Sequence, residues 1–234
     1  MDSNEKFQKY KIPYFPSGEE YDLTDPSGQA RYLAHVDLDP IGGLIDYSDK
    51  AEGFYSQYLL DTAKKSNDIG DFITYSKCVD RASILSARIA PLGNYAILLM
   101  MMSVVEEAFN TWCRLVEAHK RLQGIEIKQL TEYIPKKKKD HGLDKAIDYL
   151  KEYAAIDYIK QDKSWGYIDA IRTARNMIVH NGGRVKESER EKMEHYNIGM
   201  REEDYGLYID HETIENMYTE LVGFVDRVMG KKGS

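Results

Sequence analysis

Apolar residues recur every three or four positions along most of this chain, a spacing that predicts α-helices with one buried face. The pattern is strongest over residues 92–122, where a single stripe holds Leu98, Met101, Met102, Val105, Ala108, Phe109, Trp112, Leu115 and Val116. A stripe this wide has to face a core. This segment is therefore predicted to be the central helix of the fold.

Shorter patterns of the same kind predict further helices over residues 48–65, 72–89, 143–155, 164–180 and 212–229. The second of these is expected to stop before Pro91, because proline cannot continue the hydrogen bonds of a helical backbone. The alternation of Tyr205, Leu207 and Ile209 predicts a short β-hairpin near residues 196–210.

The start of the chain lacks a long helical repeat, because prolines and glycines interrupt it at Pro13, Pro16, Pro26, Pro40, Gly42 and Gly43. Residues 1–53 are therefore predicted to form an irregular extension. Residues 54–229 are predicted to form a helical domain with its core in 92–229, followed by a flexible tail over 230–234. The fold expected from these patterns is an all-α bundle of four to five principal helices.

Composition limits the class of protein, its expected location in the cell and the ligands that it can bind. A hydrophobic content of 42% with 30% charged residues is ordinary for a soluble protein, and no apolar run approaches the roughly 18 residues of a membrane span. The first residues lack a signal-peptide pattern, so a cytoplasmic location without membrane contact is expected. Cys78 and Cys113 form no CxxC pair, which argues against a disulfide scaffold or a cysteine zinc site. The formal charge of −7 means that any contact with nucleic acid has to be local.

The candidate chemistry lies at the end of the predicted helix 164–180, where Arg175 and Asn176 are followed three residues later by His180. A guanidinium holds phosphate oxygens well, and a histidine exchanges protons near neutral pH. Arg172, Asn176 and His180 share one polar stripe, so Asn176 can orient His180. Clustered histidines or cysteines with metal-ligand spacing are lacking, so neither metal nor cofactor is expected.

Helix geometry sets two requirements on this group. Arg175 and His180 are separated by about 140° of rotation and about 7.5 Å of rise, so two copies of the helix meeting across a two-fold axis would bring them together better than one. Arg175 also falls on the apolar face and needs compensation there. Glu106, an i, i+4 neighbour of Asn110 on the central helix, is the first choice of partner; the alternative is that this glutamate is simply solvated.

These residues resemble the HEPN superfamily of all-helical domains. Arg175-Asn176, three residues and His180 match its R-x(4–6)-H motif in the RN-xxx-H form, and the upstream run Val104-Val105-Glu106-Glu107-Ala108-Phe109-Asn110 is similar to a second signature of related groups. The resemblance covers residues 92–229.

The resemblance implies a metal-independent endoribonuclease that acts as a homodimer, typically a toxin or phage-defence effector with an antitoxin or defence-system partner. His180 would act as general base or acid, Arg175 would neutralise charge on the phosphate, and Asn176 would orient the site or hold a phosphate oxygen. Glu106 and Asn110 would support them. Family members silenced by tyrosine modification carry a tyrosine two residues after the histidine, where this chain has Gly182. Such control is therefore not expected.

Two alternatives remain open at this point. The second hypothesis, after the ribonuclease, is a catalytically inactive HEPN-like module that binds RNA, nucleotide or a protein partner, with Arg175 in a structural ion pair. The third is a plain helical scaffold. The lysine run Lys136, Lys137, Lys138 and Lys139, together with Arg172, is a candidate RNA-backbone contact, although a solvated loop explains the lysines as well.

Overall fold

The computed structural model describes residues 21, 24–85, 89–135, 142–201 and 206–230. It is all-α, as predicted. The helices are α1 (Pro26–Asp68), α2 (Phe72–Ile84), α3 (Ala90–Leu122), α4 (Leu143–Ala154), α5 (Trp165–Asn181), α6 (Glu187–His195) and α7 (His211–Met229), with a short 3-10 helix at Ile159–Gln161.

The chain divides into two compact units, each assembled from separate stretches of sequence. The first unit combines the described residues up to Ile41 with Met101–Asp169 and the described residues from Tyr218 onward. The second unit combines the described residues of Gly42–Met100 and Ala170–Met217. Helices α1, α3, α5 and α7 each contribute residues to both units.

Aromatic packing dominates the core of the first unit. The rings of Phe109 and Phe224 stack with centroids 6.0 Å apart, and Trp112 and Trp165 pack against Phe109 and Phe224 at 5.9 and 6.0 Å. Such pairs add to the free energy gained from burying large apolar surfaces. Phe109 and Trp112 of α3 and Phe224 of α7 were predicted to be buried, whereas the contact of Trp165, at the start of α5, was not predicted.

The second unit is built on aliphatic and methionine side chains. Its buried residues include Ile97, Leu98, Ile171, Ala174, Met177, Val185, Met193, Ile198, Leu207, Ile209, Ile214 and Met217. A smaller cluster joins α1 to α2 through Leu59, Ala63 and Cys78, with Ala82 packed against it. This part of α1 therefore buries only a narrow face within its own unit.

Helix α3 agrees closely with the predicted central helix. It starts two residues earlier, because Pro91 lies in its first turn, where a missing backbone N–H costs nothing. Pro91 therefore lies inside the first turn of α3 and does not end the preceding helix. Helix α2 already ends at Ile84. The length and apolarity of α3 would also suit a membrane span, a property shared by core helices of soluble proteins, and 44% of its most apolar window is buried.

The predicted irregular extension was wrong from residue 26 onward. Helix α1 runs from Pro26 to Asp68 and contains Pro40, so the predicted boundary at residue 53 lies inside it. Its first half buries residues at spacings of three and four: Ala30, Ala34, Leu38, Ile41 and Ile45. That apolar face outweighs the loss of one backbone hydrogen bond at Pro40 and the weak helix propensity of the two glycines.

Two smaller features also differ from the prediction. Helix α6 was not predicted, and the hairpin near residues 196–210 is present only as isolated antiparallel bridges, between Met200 and Leu207 and between Arg184 and Gly206. Tyr205 of the predicted alternation, the four lysines 136–139 and the tail from residue 231 lie outside the described residues.

Candidate functional site

Helix α5 carries the predicted motif on one unbroken helix. In the second unit its buried residues are Ala170, Ile171, Ala174 and Met177, and this face fixes the rotation of the helix. Asn176 and His180 are exposed, and Arg175 is half-buried. The structure therefore presents the amide and the imidazole to solvent, as the polar stripe predicted, whereas Arg175, predicted to lie on the apolar face, is only half-buried.

Arg175 makes a direct contact with its motif neighbour. Its Nη1 donates a hydrogen bond to Oδ1 of Asn176 at 3.0 Å. Its Nε is buried and has no hydrogen-bond partner, and no carboxylate among the described residues of the second unit forms an ion pair with it. A buried N–H of a permanent cation is costly to leave unpaired. The guanidinium thus retains unused capacity to bind an anion.

After His180 the helix ends and the chain turns at two glycines in the left-handed region. Gly182 has φ of 60° and Gly183 of 81°, and the N–H of Gly183 donates to the carbonyl oxygen of Met177 at 3.0 Å. The predicted helix stop at Asn181-Gly182-Gly183 is confirmed.

A tyrosine on α3 supports the same turn. The Tyr95 hydroxyl donates to the carbonyl oxygen of Leu207, and the Leu207 N–H donates to the carbonyl oxygen of Gly183 at 2.8 Å. A Cβ on Gly183 would lie 3.2 Å from the Tyr95 hydroxyl. Tyr95 therefore fixes the end of α5 near His180, a role that sequence reasoning missed because nothing local links these residues.

Arg175 and His180 lie on different sides of α5, as the helix geometry predicted. Five residues along a continuous helix correspond to about 140° of rotation and about 7.5 Å of rise. Convergence of the two side chains through a second copy of the chain stays a prediction. Arg172 is half-buried one turn before Asn176.

Glu106 and Asn110 belong to the part of α3 in the first unit, whereas Arg175 belongs to the second. Within the first unit, Oε1 of Glu106 lies 3.4 Å from the position that a Cβ would occupy on Gly142. Gly142 is the N-cap of α4 and offers no side-chain hydrogen bond. A carboxylate near that end of the helix stabilises it through the helix dipole, which gives Glu106 a local role. Its pairing with Arg175 stays a prediction.

A buried charged cluster in the first unit was also missed. Nε of Arg31 and Nε2 of His35 each lie 2.8 Å from Oδ1 of Asp226. The His35 Nδ1 lies 2.7 Å from the Tyr21 hydroxyl. Burial by itself raises the pKa of Asp226, but hydrogen bonds from His35 and Arg31 and their positive charges outweigh it and lower that pKa. The cluster joins α1 to α7.

The second unit also contains an acid-lined cavity of about 290 Å³. Asp49, Glu52, Asp210 and His211 contribute to its lining. Burial and the charge of Asp49 raise the pKa of Glu52, and His211 opposes the rise. Within the described ranges, no group of three or more histidine, cysteine or acidic side chains is arranged to hold a metal ion.

Comparison with known proteins gives no match, whether to family models, to curated proteins or to solved structures.

Proposed function

We propose that this chain is a metal-independent endoribonuclease of the HEPN type, which cleaves RNA at a site formed by Arg175, Asn176 and His180. Its biological role in this proposal is that of a toxin or phage-defence effector, active as a cytoplasmic homodimer. The support is the motif itself and its setting on α5, together with the all-α fold.

The observation that carries the proposal is the state of Arg175. A structural arginine is expected to end in an ion pair with a carboxylate, whereas this one contacts the neutral Asn176 and leaves Nε buried without a partner. A phosphate anion contacting the exposed part of the guanidinium, beside the Nη1–Asn176 hydrogen bond, would supply the negative charge that Arg175 lacks among the described residues of the second unit. The charge on a phosphate increases in the transition state of cleavage, and a fixed cation then stabilises the transition state more than the ground state.

The chemistry follows from the groups available. The 2′-hydroxyl oxygen of the ribose attacks the adjacent phosphorus, forming the P–O2′ bond while the P–O5′ bond breaks. One proton leaves the 2′-hydroxyl and one is gained by the 5′-oxygen, and His180 acts as base or acid in these transfers. The products are a 2′,3′-cyclic phosphate and a 5′-hydroxyl. Asn176 holds the guanidinium and orients the site.

A second copy of the chain completes this site in the proposal. Arg175 and His180 diverge on one helix, so the arginine of one copy and the histidine of the other serve the same phosphate when two α5 helices meet across a two-fold axis. Two copies also supply two imidazoles, one for each proton transfer.

The test is cleavage of labelled single-stranded RNA by the purified full chain in EDTA. His180→Ala is expected to lower the rate by about 100-fold to 10,000-fold, the usual contribution of a general acid or base. Arg175→Ala is expected to lower it by about 100-fold to 1,000-fold. His195→Ala is the matched control, since His195 is an exposed histidine at the end of α6.

Substrate chemistry provides an independent arm. RNA with a 2′-deoxy residue at the cleaved position is expected to remain intact, and mass spectrometry of the normal products is expected to find cyclic phosphate ends. The proposed ribonuclease activity would be contradicted if the wild type left the RNA intact, or if His180→Ala cleaved it at the full rate. RNA binding without cleavage would instead favour the inactive module.

A further inference from the structure

Helix α1 carries an apolar stripe in the second unit that stays exposed among the described residues of that unit. The stripe consists of Leu44, Tyr47, Ala51, Phe54 and Tyr58, all of them exposed, and it is called the α1 stripe below. Successive members are separated by three, four, three and four residues. That alternation is the heptad repeat by which one helix packs along another.

The α1 stripe is distinct from the face that α1 already buries. Ile45, Leu59 and Ala63 are buried and lie roughly 120° around the helix from the stripe. One helix thus has two apolar faces, and the described residues of its own unit bury the first and leave the second exposed. Isolated apolar residues on a surface are ordinary, but a continuous row at heptad spacing marks an interaction surface.

The exposed area is large enough for a stable interface. Tyr47, Phe54 and Tyr58, with the flanking Tyr55, are 71%, 78%, 58% and 44% exposed. Taking about 200 Å² for each full aromatic side chain, they expose about 500 Å². A symmetric contact counts this area twice, giving about 1,000 Å² in total, which reaches the lower bound for a specific protein interface.

We propose that the α1 stripe binds the α1 stripe of a second copy of this chain, so that two α1 helices pack side by side. The same patch then serves both partners, as in any two-fold contact. The five stripe positions carry no charge, so two copies meet there without repulsion. Ala51 lies at the middle of the stripe with an aromatic residue on either side, so the closest approach falls at the smallest side chain.

This interface is inferred from α1 alone, whereas the proposed ribonuclease site needs two α5 helices to meet; one dimer serves both proposals when a single two-fold axis relates both helix pairs. The test of the α1 interface is the mass of the full chain in solution. Sedimentation at micromolar concentration is expected to show a dimer of two 27.0 kDa chains. The double variant Phe54→Lys/Tyr58→Lys is expected to sediment as a monomer with unchanged helicity by circular dichroism. The milder Phe54→Ala/Tyr58→Ala is expected to raise the dissociation constant by roughly 100-fold.

Leu60→Lys is the matched control, because Leu60 is 51% exposed on the same helix but lies outside the stripe. It is expected to remain a dimer. A monomeric wild type would overturn the proposal, as would a dimer that persists in the double lysine variant. If the wild type is monomeric and the double variant loses affinity for single-stranded RNA, the stripe stacks on bases and not on a second helix. RNA cleavage is measured separately for every variant. The oligomeric state can therefore be interpreted even if no variant cleaves RNA.

Discussion

Replacing Asp226 by asparagine is expected to destabilise the protein strongly, because it removes the only negative charge bonded to both Arg31 and His35 in the described cluster. The side chains of Arg31 and His35 are 14% and 5% exposed, so their lost interactions are poorly replaced by water. Breaking a fully buried ion pair from one side costs about 3–5 kcal/mol.

Asp226 itself is 27% exposed, so part of this cost is screened. We therefore expect a loss of about 2–4 kcal/mol in the free energy of unfolding. For a chain of this size, that corresponds to a fall of about 5 to 15 °C in Tm. The loss is a large fraction of the total stability of an ordinary domain.

The effect has a defined pH dependence. The pKa of Asp226 in the folded protein is below its ordinary value of 3.8, so the carboxylate stabilises the fold fully above that value. This contribution is lost as the pH falls through the pKa of the folded state, where the side chain is protonated. The difference between wild type and Asp226→Asn should therefore be largest near neutral pH and shrink below about pH 4.

Urea unfolding followed by circular dichroism, at a series of pH values, measures both quantities. Glu107→Gln is the matched control, because Glu107 pairs with Arg114 while the two side chains are 57% and 54% exposed. Its expected cost is about 0–1 kcal/mol. A cost below 1 kcal/mol for Asp226→Asn, or one that does not change between neutral and acidic pH, would refute the reasoning.

Two further predictions concern the turn after the motif and the buried thiol. Gly183→Ala should destabilise the protein more than Gly182→Ala in thermal unfolding, because both positions have positive φ but only a Cβ on Gly183 approaches the Tyr95 hydroxyl; equal losses would show that the contact with Tyr95 is unimportant. Cys113 is buried, and this burial raises the pKa of its thiol to about 12, so mass spectrometry should find it unmodified by iodoacetamide in the native protein and modified in urea. Rapid native labelling would contradict the packing around it.

The spacing of apolar residues along the sequence was sufficient to predict the helices that bury one continuous apolar stripe. The predicted segments at 92–122, 143–155, 164–180 and 212–229 agree with α3, α4, α5 and α7 to within two residues. Helix α6 was missed because it buries only Met193 and therefore has no apolar stripe to detect. The first half of α1 was missed because Pro40 and the following glycines resemble a turn locally, whereas burial decides the outcome.

The candidate site likewise has features that the sequence predicts and features that depend on tertiary packing. The spacing of Arg175, Asn176 and His180 predicted their places on one helix, since helix geometry is local. The support of Gly183 by Tyr95 depends on packing between distant segments, and neither residue is unusual in its own sequence context. The unpaired Nε of Arg175 likewise depends on the side chains packed around it, which the position of an arginine along a helix does not determine.

The link between Arg31 and Asp226 spans 195 residues of sequence, which has a consequence for folding during synthesis. At about 5–20 residues per second, a ribosome needs about 10–40 s after making Arg31 before Asp226 exists. During that interval α1 can form, but Arg31 and His35 lack the Asp226 carboxylate that they contact in the finished protein. Completion of the first unit therefore waits for the last helix, and premature termination within α7 would leave α1 with its most polar buried face uncovered.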